Sequence, residues 1–203
     1  MNRPCRAWCV SVVALGVLAG CNKQPTGTAS TGKADPAPAP KSSVAVKEAP
    51  NIPPPSGPVK VAPCKFDAVE KTIADAKGKV VLIDCWATWC PPCVSSFPKL
   101  VEKHQKYGSK GLAVVSVSLD RSSDAGKVLA FLQKQNATFT NLHLTVDAAA
   151  QKGLTDKFAY EGGIPHAVLF DKSGKRVWSG HPMDPELAPL IEAELAKSGP
   201  AQG

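Results

Sequence analysis

The sequence predicts an α/β domain whose central sheet is covered by helices on both faces. Three observations carry this. Two apolar runs, Val80-Val81-Leu82-Ile83 and residues 112–119, read as strands buried on both sides. Segments of helical periodicity alternate with them. A short hairpin and a last helix close the chain.

The elements follow in order. Phe66, Val69 and Ile73 recur at helical spacing, and Gly78 ends that helix. Residues 79–85 form the first long strand. A helix runs from Cys90 to about Tyr107, with Phe97, Leu100, Val101 and His104 as inward positions and a kink expected at Pro98. Residues 112–119 form the second long strand and end at Asp120. Val128, Leu129 and Leu132 mark an amphipathic helix over residues 124–136. Residues 142–146 read as a short strand and residues 148–158 as a helix. Gly162-Gly163-Ile164-Pro165 leads into a strand at residues 166–170, a turn at Asp171-Lys172-Ser173-Gly174 and a strand at residues 175–178. Asp184 is placed to cap the final helix with Pro185 at its first position, and Leu187, Leu190, Ile191 and Leu195 form its apolar face.

The folded part does not fill the 203 residues. Residues 1–20 read as an export signal: Arg3 and Arg6 precede an apolar run from Ala7 to Leu18 that is short for a membrane span. It ends in Leu18-Ala19-Gly20-Cys21, which resembles a bacterial lipobox. That resemblance implies cleavage before Cys21, followed by a thioether-linked diacylglycerol and an amide-linked acyl chain such as palmitate; the alternative is an ordinary secretory signal cleaved near Ala19. Several chains anchor stably, at about 0.8 kcal/mol per buried methylene. Residues 21–63 are rich in Pro, Ala, Ser, Thr and Lys and have little to bury, so they read as a disordered tether with a reach on the order of 100 Å. Residues 64–199 are the expected domain. The net charge of +7 is spread without a dense basic stripe, which argues against nucleic acid as a partner.

The chemistry concentrates in Asp84-Cys85-Trp86-Ala87-Thr88-Trp89-Cys90-Pro91-Pro92-Cys93. Two cysteines at CxxC spacing sit between a buried strand and a helix. Helix-terminal amides favour a thiolate on Cys90, and Cys93, a turn later, is in reach of any mixed disulfide formed there. Pro91 and Pro92 lack N–H groups, so the donors left for Cys90 are few and a modestly lowered thiol pKa is expected. A zinc site would want a second CxxC or a close histidine pair, and neither is present.

Trp89-Cys90-Pro91-Pro92-Cys93 resembles the active site of the thioredoxin superfamily, and most of all its membrane-tethered TlpA/ResA-like members in the bacterial envelope. Asp84 matches the buried aspartate of thioredoxins, Trp86 and Trp89 their two tryptophans, Pro98 the proline of the active-site helix, and Ile164-Pro165 the cis-proline loop. Residues 124–146 resemble the helix–strand insertion of TlpA-like proteins. The resemblance implies a thioredoxin-like fold, Cys90 as nucleophile, Cys93 as resolving thiol, Asp84 as a general base for Cys93, and Trp89, Ile164 and Pro165 as the substrate rest. It also implies no cofactor beyond the cysteine pair. The partners it implies are protein disulfides, apocytochrome c among them, and a membrane-bound electron donor. The location it implies is the envelope, facing the periplasm through the lipid anchor.

Two departures stand out. Asp84 and Ser96 stand where TlpA/ResA-like proteins often carry an asparagine and a glutamate, and residues 114–118 carry no lysine of the kind thioredoxins place near their aspartate. Asp84 is therefore expected to handle the proton alone. His166 is read either as a neighbour of Cys90 or as a strand residue facing away. Cys85 reads as a small core residue. Cys64 has no assigned role, and a Cys64–Cys85 pair stays open. A dithiol oxidase, or a non-catalytic binding module such as a metallochaperone, are the competing functions.

Overall fold

The computed structural model describes residues 57–198. The expected signal, Cys21 and most of the tether lie outside the described residues. Six strands form one mixed sheet in the order β1-β4-β3-β2-β5-β6, where β1 is Ala62–Cys64, β2 Val80–Trp86, β3 Leu112–Ser118, β4 Thr140–Leu144, β5 His166–Phe170 and β6 Arg176–Gly180. The first four in that order run parallel, and β5 and β6 are antiparallel additions. The helices are α1 (Phe66–Asp75), α2 (Pro91–Tyr107), α3 (Ala125–Lys134), α4 (Ala148–Phe158) and α5 (Leu187–Ala196).

β2 is buried along its whole length because helices cover both sides of it. Its side chains alternate. Val80, Leu82 and Trp86 enter one core with Phe97, Leu100, Val128, Leu132, Leu187 and Ile191, from α2, α3 and α5. Val81, Ile83 and Cys85 enter the other with Val69, Leu154 and Phe158, from α1 and α4. Period-two alternation therefore puts Asp84 on the α2 side, between Leu82 and Trp86.

Several local expectations shift. β1 was not foreseen: three residues carry no periodicity, and only pairing with β4 makes them a strand. β4 begins two residues earlier than the apolar pattern suggests, and Val146 is exposed. Asn141 explains the start. Its side chain donates to the carbonyls of Lys60, Ala137 and Phe139 and accepts from Ser116. α2 continues through Pro98 as one element. Asp184 does not cap α5. Its Oδ1 accepts from the Glu186 N–H at 2.9 Å, which closes a turn, and α5 starts at Leu187.

Candidate active site

The C-terminal end of β2 delivers the reactive segment to the edge of the sheet. Cys90 is the N-cap of α2, and its Sγ accepts the Cys93 N–H at 3.3 Å. The two residues between them are prolines and offer no donor. Cys90 and Cys93 form a disulfide with Cα atoms 5.3 Å apart. Cys93 is fully buried, and Cys90 is only 4% exposed, less open than a nucleophile read from sequence suggests. Ile164 accounts for part of the cover, since its carbonyl oxygen lies 3.6 Å from the Cys90 sulfur. The Ile164-Pro165 peptide is cis. A groove of about 540 Å³ continues from it, lined by Gly163, Ile164, Pro165, His166, Gly180 and His181.

Asp84 lies on the α2 side, 1% exposed, and its Oδ1 has no hydrogen-bond partner. The register explains why. Ser116 is directly opposite on β3, but its hydroxyl donates to Asn141 at 2.8 Å instead. Burial without a full set of donors disfavours the charged form, and the carboxyl rises from an ordinary 3.8 to about 7. The Lys103 ammonium pulls it partly back.

A thioredoxin-like family model matches residues 78–176. A thiol-disulfide oxidoreductase ResA of Bacillus cereus is 32% identical over 106 residues, 52% of this chain and 56% of that protein. The chain thus spans little more than half the length of the curated relatives it matches first. Among solved structures, one described as a thiol:disulfide interchange protein DsbE of Chlorobium tepidum shares 32% identity with a TM-score of 0.51, over 61% of this chain and 84% of that one. The chain belongs to the thioredoxin superfamily. It resembles ResA-like members of that superfamily. A thioredoxin of Neisseria meningitidis aligns at 28% identity and a TM-score of 0.51, covering 62% and 80% of the two chains.

Within this thioredoxin-like domain the remaining candidates separate. Trp89 is 64% exposed beside Cys90, whereas Trp86 is buried against Phe97 and Phe131, each ring centroid 4.8 Å away. Ser96 sits one turn after Cys93 and bonds back to the Cys93 carbonyl at 3.1 Å, so no second acid faces the pair from that position. His166 turns away from Cys90. It shares the α1/α4 face with Cys85, donates its Nε2–H to the Phe158 carbonyl at 2.9 Å and stacks edge-on against Tyr160. Cys64 and Cys85 are both free. β4 and β3 lie between their strands, which puts them about 14 Å apart, too far for a disulfide. Burial pushes both thiols up, with Asp67 adding to the effect at Cys64 and Asp84 at Cys85, so both are poor nucleophiles. Among the described residues no cluster of three or more His, Cys, Asp or Glu side chains is arranged to hold a metal.

The sequence offered Asp84 no lysine on β3, and the structure adds a cation from elsewhere. Lys103 of α2, not a residue of β3, acts on it through its charge. Its ammonium is partly desolvated, which lowers its pKa, and its Nζ bonds the Pro182 carbonyl at 3.4 Å. Helical spacing held the signal: Cys93, Ser96, Leu100, Lys103 and Tyr107 step by three or four along one side of α2. Asp120 was also passed over. It is 3% exposed and bonded to the active-site loop.

Proposed function

We propose that this chain is a thiol–disulfide oxidoreductase that reduces protein disulfides in the bacterial cell envelope. The observation that carries the reading is the Cys90–Cys93 pair at the start of α2, with a buried, incompletely bonded carboxyl behind it. The ResA-like relatives support the same reaction class.

The exchange balances as follows. The Cys90 thiolate attacks one sulfur of a substrate disulfide. The substrate S–S bond breaks, one substrate thiolate leaves, and a mixed disulfide remains on Cys90. The Cys93 thiol gives its proton to the Asp84 carboxylate and attacks the Cys90 sulfur. The second substrate thiolate leaves, and the protein carries the Cys90–Cys93 disulfide. Two electrons have passed to the substrate, and the cysteine pair is the only redox group required. A group titrating near 7 takes and returns a proton with little driving force lost either way. Trp89, Ile164 and Pro165 form the rest for the substrate segment around its disulfide.

The export signal and Cys21 of the lipobox support a lipid-anchored protein facing the periplasm, with a membrane-bound donor returning it to the dithiol state. Apocytochrome c is one substrate this placement suits. Among the described residues no helix is long and apolar enough to cross a membrane.

The deciding test is the reduction potential of the full chain, equilibrated in glutathione or dithiothreitol buffers and read by alkylation of the Cys90/Cys93 peptide. A value below about −230 mV lies on the thioredoxin side and is expected. A value near about −120 mV lies with strong oxidants and would make the protein a dithiol oxidase.

A further inference from the structure

Asp120 follows β3 and lies beneath the active-site loop. It is 3% exposed, and all its side-chain partners are donors. The Thr88 N–H reaches both oxygens, at 3.2 and 3.0 Å, and the Thr88 hydroxyl donates to Oδ1 at 2.5 Å. The Ser118 hydroxyl donates to Oδ2 at 2.8 Å. The Asp120 carbonyl accepts Nε2–H from the buried His143 of β4 at 3.0 Å, so the residue is held from both sides. An acceptor-only side chain is what three converging donors require.

Thr88 precedes Trp89, whose indole is 64% exposed. Trp89 forms one wall of a groove of about 470 Å³, and Leu119, Arg121 and Asp124 form the other. Asp120 lies between Leu119 and Arg121 in the chain and holds the residue next to Trp89. One carboxylate thus joins both walls. This groove is distinct from the one that continues from Ile164-Pro165.

We propose that Asp120 is a positioning residue for substrate recognition: through Thr88 it fixes Trp89 against the Arg121 segment, and so sets the surface that meets a folded or extended protein flanking its disulfide. Asp120 touches neither sulfur. The inference rests on the disulfide-exchange reading, because it assigns the groove to that reaction's protein substrate. An asparagine offers one oxygen where two are used and brings an NH₂ against donors, so the loop loses its anchor while the core stays filled.

The test uses the full chain, pre-reduced, in single turnovers under excess substrate, with the half-saturating concentration read as KM and the limiting rate as kcat, on two substrates: insulin, and a small aromatic disulfide that needs no groove. Asp120→Asn is expected to raise KM for insulin at least fivefold, with kcat and the small-disulfide rate within twofold of the parent. Thr88→Val keeps the N–H bond and loses the hydroxyl, and is expected to shift KM in the same direction by less. Thr88→Ser, which keeps both donors, is expected to restore the parental KM. An unchanged insulin KM in both Asp120→Asn and Thr88→Val overturns the proposal. So does a parallel fall in both substrates' rates, which would place Asp120 with the thiol chemistry or the fold. If Asp120→Asn does not fold, the Thr88 pair decides alone. A parent chain that reduces neither substrate would refute the exchange reading itself, a result separable from the others.

Discussion

Asp84 shows how much one position on a sheet controls. Its carboxyl titrates near 7 in the folded chain and near 3.8 once unfolded, because folding removes water and supplies too few donors. The folded state therefore holds an extra proton between these values, and stability falls as pH rises from about 4 to about 7. Asp84→Asn cannot ionise and should escape this loss. At pH 8 it is expected to be more stable than the parent by on the order of a few kcal/mol in urea titrations, since each pKa unit is worth about 1.4 kcal/mol. The same substitution should slow resolution of the mixed disulfide roughly 100-fold at pH 8 and abolish the inflection near 7 in its rate. Lys103→Met removes the cation that opposes the shift among the described residues, so the inflection should move to higher pH. Stopped-flow measurement of substrate release across pH 5–9 checks both (the range brackets the titration at about 7). An unmoved midpoint in Lys103→Met would mean that its charge is screened from Asp84.

Among the elements, α1 and α4 meet at a close seam. A Cβ built on Gly153 would lie 2.2 Å from the Phe66 ring. Glycine in a helix interior costs helix propensity, and here it allows α4 to approach that ring and bring Leu154 and Phe158 into the core. Gly153→Ala should gain propensity and still destabilise by about 1–3 kcal/mol through overpacking. A lower urea midpoint with an unchanged slope is the expected result. α2 was legible in sequence almost residue for residue, because it is long and its apolar positions recur. β1 was not, because three residues become a strand only when β4 is beside them. The start of α5 was misplaced for a related reason. Asp184 and Pro185 make a good local start signal, but the Asp184 side chain is used in the turn before the helix.

For the whole molecule, the strand order separates groups that sequence leaves free to meet. Cys64 and Cys85 sit three strands apart, so oxidation of the full chain should yield no Cys64–Cys85 peptide by mass spectrometry. Replacing them with serine and alanine should leave the Cys90–Cys93 potential unchanged. The order also explains the reactive end. β2 has β3 on one side and β5 on the other, so the segment after Trp86 emerges between the β3–α3 connection and the loop preceding β5. Asp120 approaches it from the first, and Ile164 from the second.

The sequence by itself determined the α/β class, the run of long elements and the CxxC pair at a strand-to-helix junction. These depend on periodicity and on contacts a few residues apart, which the order of residues encodes directly. Tertiary structure alone decided that Asp84 Oδ1 lacks a hydrogen-bond partner among the described residues, that the Lys103 charge acts on it, that Asp120 holds Thr88, and that Cys64 and Cys85 stay apart. Each of these is set by which strands are neighbours and which helix face lies over them. Desolvation and charge act through space, between groups whose separation the chain order does not specify.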